Sequence, residues 1–501
     1  MSFVMMSRLR WISHRLLCHL HALGPVASVV VSCCHTHNTF VTDICFSWRR
    51  PVDSVLPDRL FILSFPPVSD PIPSLDALLH RAMRHLDDWQ SAWGTFEPHD
   101  ALGIDPEHLD DAFATYLDRL TGENYPFHHP RYAGQMLKPP HPVAIAAYLA
   151  AMRINPNNHA LDGGPPTSHM EQEVVADLAT MLGLPDETLG HLTASGTIAN
   201  LEALWVARES HPERGLAFSA DAHYTHGRMA GVLDMETTVV PADARGRIDL
   251  PALDDVLGAN SIGTVVLTPG TTGLGSVDRI DKAVDCCRRH DVRLHVDAAY
   301  GGFFRLLVDR DESFDGFPAA AFRAIEHADS VVVDPHKHGL QPYGCGGVLF
   351  RDPAVGRFYK HDSPYTYFTS DALHLGEITL ECSRAGAAAG ALWCTLRALP
   401  LAPNHGLGDI LAACFRAART WADRIAASDR LTLLTPPETD IVAYFPTPDA
   451  PTLSAVDAAS QRLFDAAMND PDEPVFTSLY RLPAEDVRAL HPDLEADCDE
   501  V

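Results

Sequence analysis

Apolar positions along this chain change period twice, and the changes mark its organisation. Leu75, Leu78, Leu79, Met83 and Leu86 recur every three or four residues, which predicts an amphipathic helix. A second helical pattern covers 106–120, and Pro126, Pro130, Pro139, Pro140 and Pro142 punctuate the stretch after it. A helical run then reaches Ile154 and a loop covers 155–166. Ser168 and Glu171 stand three apart as a capping box, predicting a helix that opens there and ends near Leu182. Beyond it, short β-branched runs at 264–268, 293–296, 330–333 and 347–350 alternate with helical stretches, of which 278–290 is the clearest. That alternation predicts an α/β fold with a mostly parallel sheet covered by helices on both faces. A helical run at 385–399 leads to a tail of helix (407–428), strands (431–435, 441–445), helix (454–468) and strand (475–480), read as a second, smaller α/β unit.

The chain thus divides into a helical segment (71–160), a large domain (161–400) and a small C-terminal domain (401–501), preceded by residues 1–70. That first stretch has no Lys and no Glu, and its six Arg face four Asp. Its uncharged stretch 16–42 holds four histidines and makes a poor membrane span. We read 1–70 as a disordered or untranslated extension in preference to a signal peptide.

Composition narrows the partners. The 501 residues carry a net charge of −28, which excludes nucleic acid as a default partner and argues against an anionic membrane surface. Eleven cysteines form no C-x-x-C pair, and 27 histidines form no H-E-x-x-H, so no metal site is expected. The cysteines read as buried thiols of a cytoplasmic protein. Only four of the 38 basic residues are lysines, namely Lys138, Lys282, Lys337 and Lys360.

Three motifs carry chemistry. Thr193-Ala194-Ser195-Gly196-Thr197 runs straight into a helix, and a small-residue turn at a helix N-terminus suits a phosphate or simply caps the helix. His295-Val296-Asp297-Ala298-Ala299 ends an apolar strand in a carboxylate, with small residues that leave room for a flat ring. Val333-Asp334-Pro335-His336-Lys337 ends another strand in a lysine beside cationic neighbours, the setting of a nucleophilic amine.

In this order, and with Ala222-His223, the motifs resemble those of the pyridoxal-phosphate-dependent group II amino acid decarboxylases. The likeness covers about 75–480 and is similar in motif to the archaeal tyrosine/aspartate decarboxylase branch. It implies PLP fold type I, a large α/β domain plus a smaller one, and a homodimer with the active site at the subunit interface. It also implies pyridoxal 5'-phosphate as cofactor and decarboxylation of an aromatic or acidic L-amino acid. Lys337 is then the Schiff-base lysine, Asp297 the partner of the ring nitrogen, and His223 and Ala299 the residues on the two ring faces. Ser195, Gly196, Thr197 and His336 surround the phosphate, and Thr271 lines the ring edge.

Leu380-Glu381-Cys382-Ser383-Arg384-Ala385-Gly386 resembles a Ser-Arg-x-Gly segment of the same branch. Arg384 is therefore a candidate for a substrate carboxylate or a facing subunit's phosphate, or for a pair with Glu381. Tyr359, Tyr365 and Tyr367 come after Lys337 as candidate proton donors to the substrate carbon, Tyr365 and Tyr367 also as substrate contacts. An aminotransferase or lyase on the same scaffold, or an inactive homologue, stays open. The family's chains continue past the last strand, so the small domain is expected to be shortened.

Overall fold

The computed structural model describes residues 26–33, 73–136, 138–360 and 375–498. Leaving aside β1 (Val26–Cys33), the chain next builds seven strands that share one sheet: β2 (Leu189–Thr193), β3 (Gly215–Ser219), β4 (Thr237–Val240), β5 (Ile262–Leu267), β6 (Arg293–Asp297), β7 (Ser330–Val333) and β8 (Gly346–Phe350). Their order is β2-β8-β7-β6-β5-β3-β4. Only β8 runs against its neighbours, and every other pairing within β7-β6-β5-β3-β4 is parallel.

Both faces of this sheet are buried, as the β-branched runs require. Val331 and Val333 point into the main core with Val296 and Leu178, whereas Val332 packs with Val348, Ala199 and Ala203 of the helix Gly196–Ser210 on the other face. The α/β class with a mostly parallel sheet is the observed architecture.

Two helix starts differ from the sequence expectation. The helix Pro165–Leu182 opens one turn before Ser168, because Pro165 and Pro166 fill first-turn positions where a missing N–H costs nothing. Ser168 and Glu171 are then interior, and the Glu171 carboxylate accepts the Leu192 N–H at 2.9 Å and the Asn158 amide at 2.6 Å. The helix read as 278–290 begins at Ile280. Asp278 stays outside it, buried, and accepts the N–H groups of Ile248 and Thr268 at 2.7 Å each.

A short hairpin, β9 (Leu401–Ala402) and β10 (His405–Gly406), leads through the helix Leu407–Ala426 to the small domain. There β11 (Leu431–Leu433), β12 (Ile441–Pro446) and β13 (Ser478–Pro483) join β1 in an antiparallel sheet of order β11-β12-β1-β13. The inner position of β1 differs from the expectation for 1–70. Its β-branched run Val29-Val30-Val31 suits a strand. Seating it between β12 and β13 gives both a hydrogen-bonding neighbour.

The two domains meet through apolar and ionic contacts. Leu274 and Tyr300 of the large domain pack with Ile441, Ala443 and Phe445. Buried Asp440 accepts the Tyr300 hydroxyl at 2.5 Å, the Lys138 ammonium at 2.8 Å and His338 Nε2 at 3.1 Å. Among the described residues, no helix is long and apolar enough to cross a membrane.

Candidate active site

Strand alternation sends Leu294 and Val296 of β6 into the main core and turns His295 and Asp297 to the opposite face. There both ring nitrogens of His295 are used: Nε2 is 2.9 Å from Asn200 Oδ1 and Nδ1 is 2.9 Å from Ser330 Oγ. A neutral imidazole that donates from Nε2 and accepts at Nδ1 fits both partners. Burial drives its pKa down to about 3, which agrees with that neutral form. Asn200 also donates to the Gly196 carbonyl at 2.9 Å, so His295 ties the strand to the first turn of the helix Gly196–Ser210.

Asp297 is buried at the carboxyl edge of the sheet. Its Oδ2 lies 2.9 Å from His226 Nε2, and its Oδ1 accepts the Ala299 N–H at 3.2 Å. Burial pushes its pKa up, but the His226 hydrogen bond and the charges of His226 and Lys337 outweigh this and hold the carboxyl below its usual range. The following turn needs small residues. A Cβ on Gly301 would lie 1.4 Å from the Pro269 carbonyl oxygen.

Lys337 comes just after β7 in a tight turn closed by its N–H on the Asp334 carbonyl. Its Nζ stands 3.1 Å from Asp334 Oδ2, and His336 Nδ1 donates to the Cys345 carbonyl at 2.7 Å. Asp334 is pressed against the helix N-terminus, where a Cβ on Gly196 would come within 2.6 Å of Oδ2. Ser195 is the N-cap of that helix, and its Oγ accepts the Ile198 N–H at 3.3 Å. His223 accepts at Nδ1 from Thr225 Oγ1, 2.6 Å away, and burial lowers its pKa, with Asp297, Lys337, His226 and Asp334 all near enough to act on it. The three strand- and helix-end motifs therefore converge.

A family model, the pyridoxal-dependent decarboxylase conserved domain, matches residues 98–445. The chain belongs to this family. Its members are pyridoxal-phosphate-dependent carboxy-lyases, and pyridoxal 5'-phosphate is the cofactor. An L-tyrosine decarboxylase of Enterococcus faecium is 28% identical over 464 residues, covering 72% of this chain and 76% of that one. A probable L-aspartate decarboxylase of Halobacterium salinarum is 33% identical over 271 residues, 54% of this chain and 71% of the relative. The crystal structure of Oryza sativa TDC with PLP and tryptamine superimposes with a TM-score of 0.64 at 17% identity, covering 86% of this chain and 99% of that one.

The residues present fit the family's cofactor. Asp334 Oδ1, just after β7 and against the Ser195 turn, is buried without a hydrogen-bond partner among the described residues, as is Thr268 Oγ1 just after β5. The N–H groups of Gly196 and Thr197 lie in the helix's first turn, where no intrahelical acceptor exists. Lys337 and Asp297 supply an amine and a buried anion.

Arg384 and Tyr359 have partners that the sequence does not announce. Arg384 does not pair with Glu381: its Nη1 bonds Glu171 Oε1 and the Leu192 carbonyl, both at 2.6 Å, while its Nε and Nη2 are buried without a partner among the described residues. The reason is charge balance, since Glu171 is buried and needs a cation. Glu381 instead accepts the Ala194 N–H at 2.8 Å. Tyr359 is buried edge-on to Trp205, with ring centroids 4.8 Å apart, not in an open loop. Thr271 is buried, and its hydroxyl accepts the Ser276 N–H at 3.1 Å within its own turn. Tyr365 and Tyr367 lie outside the described residues.

Sequence reasoning misses His226 and the role of Glu171. His226 sits three residues after His223, in the helix that opens at Thr225 just beyond it, and that short spacing is the available signal. The sequence pattern assigns Glu171 to a cap that the helix does not use.

Proposed function

We propose that this chain decarboxylates an aromatic or acidic L-amino acid to the amine and CO₂, as a cytoplasmic homodimer. The convergence of Lys337, Asp297 and His223 beyond the carboxyl ends of β7, β6 and β3 carries the reading. When bound, pyridoxal phosphate supplies the electron sink for the bond pair left behind as CO₂ departs.

The chain's residues divide the remaining work. Lys337 would hold the cofactor's aldehyde and release it to the substrate amine, with Asp334 Oδ2 beside its Nζ. Asp297, held as an anion by its neighbours, would keep a proton on the ring nitrogen. Ser195, Gly196, Thr197 and His336 would surround the phosphate, the turn supplying N–H and O–H donors at a helix N-terminus. His223 and Ala299 would bound the two ring faces, and Thr271 the ring edge. Confining the ring defines the direction in which the scissile bond must stand. Tyr365 and Tyr367 remain the candidates for contacting substrate and returning a proton to its α-carbon.

A homodimer is supported by the helices Leu75–Ser91 and Pro106–Gly122 and the segment between them. They leave Trp89, Trp93, Phe96, Leu109, Phe113 and Tyr116 exposed, an apolar surface that a monomer rarely keeps bare. Cys286, Cys287, Cys345, Cys382, Cys394, Cys414 and Cys498 are free thiols, which suits a reducing compartment.

The test is a panel of L-amino acids offered to the purified protein with pyridoxal phosphate, with CO₂ and amine measured together. Equal amounts of both from an aromatic or acidic substrate support the reading. Stoichiometric oxo-acid would make the chain an aminotransferase. Cofactor binding with no product from any substrate would make it an inactive homologue.

A further inference from the structure

Asp297 is held from behind by a histidine outside the three motifs. His226 lies in the helix Thr225–Val232, fully buried between Phe218 and His295, with ring centroids 6.1 and 6.3 Å away. Its Nε2 is 2.9 Å from Asp297 Oδ2. A carboxylate only accepts, so the proton of this bond belongs to Nε2. The other nitrogen, Nδ1, is buried with no partner among the described residues. The imidazole therefore spends its single polar contact on Asp297.

We propose that His226 is a positioning residue for the cofactor: its Nε2–H orients the Asp297 carboxylate and stabilises it as an anion, leaving the other lone pairs for the ring nitrogen. This rests on the reading of Asp297 as the partner of that nitrogen. Without His226, Asp297 would keep one hydrogen bond from the described residues, from the Ala299 N–H. A buried carboxylate so poorly served takes up a proton, and a neutral carboxyl does not pair with a cationic ring. His226 acts through Asp297 and need not touch the cofactor.

The geometry suggests variants that separate this role from packing. In His226→Gln the amide nitrogen reaches the place of Nε2. In His226→Asn the shorter amide falls near Nδ1, where no acceptor waits, and His226→Leu has no donor at all. The measurement is the dissociation constant for pyridoxal phosphate of each full-length protein, with the gain in thermal midpoint on adding saturating cofactor. The Gln variant should bind within about threefold of the parent, and the Asn and Leu variants at least about tenfold more weakly, with a smaller thermal gain. Leu and Asn variants that bind as the parent does would overturn the proposal, as would Gln and Asn variants impaired alike. If the Leu variant fails to fold, the Gln-against-Asn comparison still decides. A parent protein that does not bind the cofactor would overturn the reading of Asp297 itself.

Discussion

Nη1 of Arg384 lies 2.6 Å from Glu171 Oε1 and 2.6 Å from the Leu192 carbonyl oxygen, so a buried ion pair clamps the strand that enters the Ser195 turn. Glu171 holds the N–H of the same Leu192, and Glu381 holds the N–H of Ala194. The turn expected to grip a phosphate is thus positioned by two carboxylates and a guanidinium that approach from other segments.

Arg384→Met should therefore lower the unfolding free energy by about 3–5 kcal/mol, because Glu171 loses its cation while staying buried. Urea unfolding of the parent and the variant measures it. Unchanged stability with a raised KM would instead make Arg384 a substrate ligand.

Asp297→Asn separates an electronic role from a capping one. The amide keeps an acceptor for the Ala299 N–H, and His226 has a second nitrogen on which to carry its proton, so the fold tolerates the change. A neutral amide does not stabilise a cationic ring in a buried site. The variant should keep its thermal midpoint and decarboxylate at least about a hundredfold more slowly, one lost ion-pair interaction being worth a few kcal/mol. A rate within a few-fold of the parent's would reduce Asp297 to a structural residue.

How much is legible in the sequence depends on how local each feature is. β5 to β8 are visible because strands buried on both faces are rich in apolar and β-branched residues, as Val331-Val332-Val333 is. Lys337 and Asp297 stand out because a charge after such a run needs a reason. The capping pattern Ser168-x-x-Glu171 misleads because a local pattern cannot show that Leu192, Asn158 and Arg384 compete for the carboxylate. His226 escapes notice for a similar cause, its partner lying 71 residues away. β1 is invisible as a domain element because its neighbours, β12 and β13, lie near the other end of the chain.

His295 predicts how stability depends on pH. Its folded pKa, about 3, is depressed from 6.5 by burial, so the unfolded chain binds the extra proton between those values. Its contribution is complete above about pH 6.5 and declines as pH falls through the window, by about 2 kcal/mol by pH 5. His295→Gln, which does not titrate, should lose correspondingly less stability than the parent between pH 7.5 and 5 in urea unfolding. Equal losses would mean that His295 is not held neutral.

Lys337, alone among the four lysines, is proposed to carry the cofactor. Borohydride reduction of the protein loaded with pyridoxal phosphate, followed by peptide mass spectrometry, tests it most directly. The expected result is a pyridoxyl group on Lys337. A label on Lys138, Lys282 or Lys360 instead, or on no lysine, would contradict it.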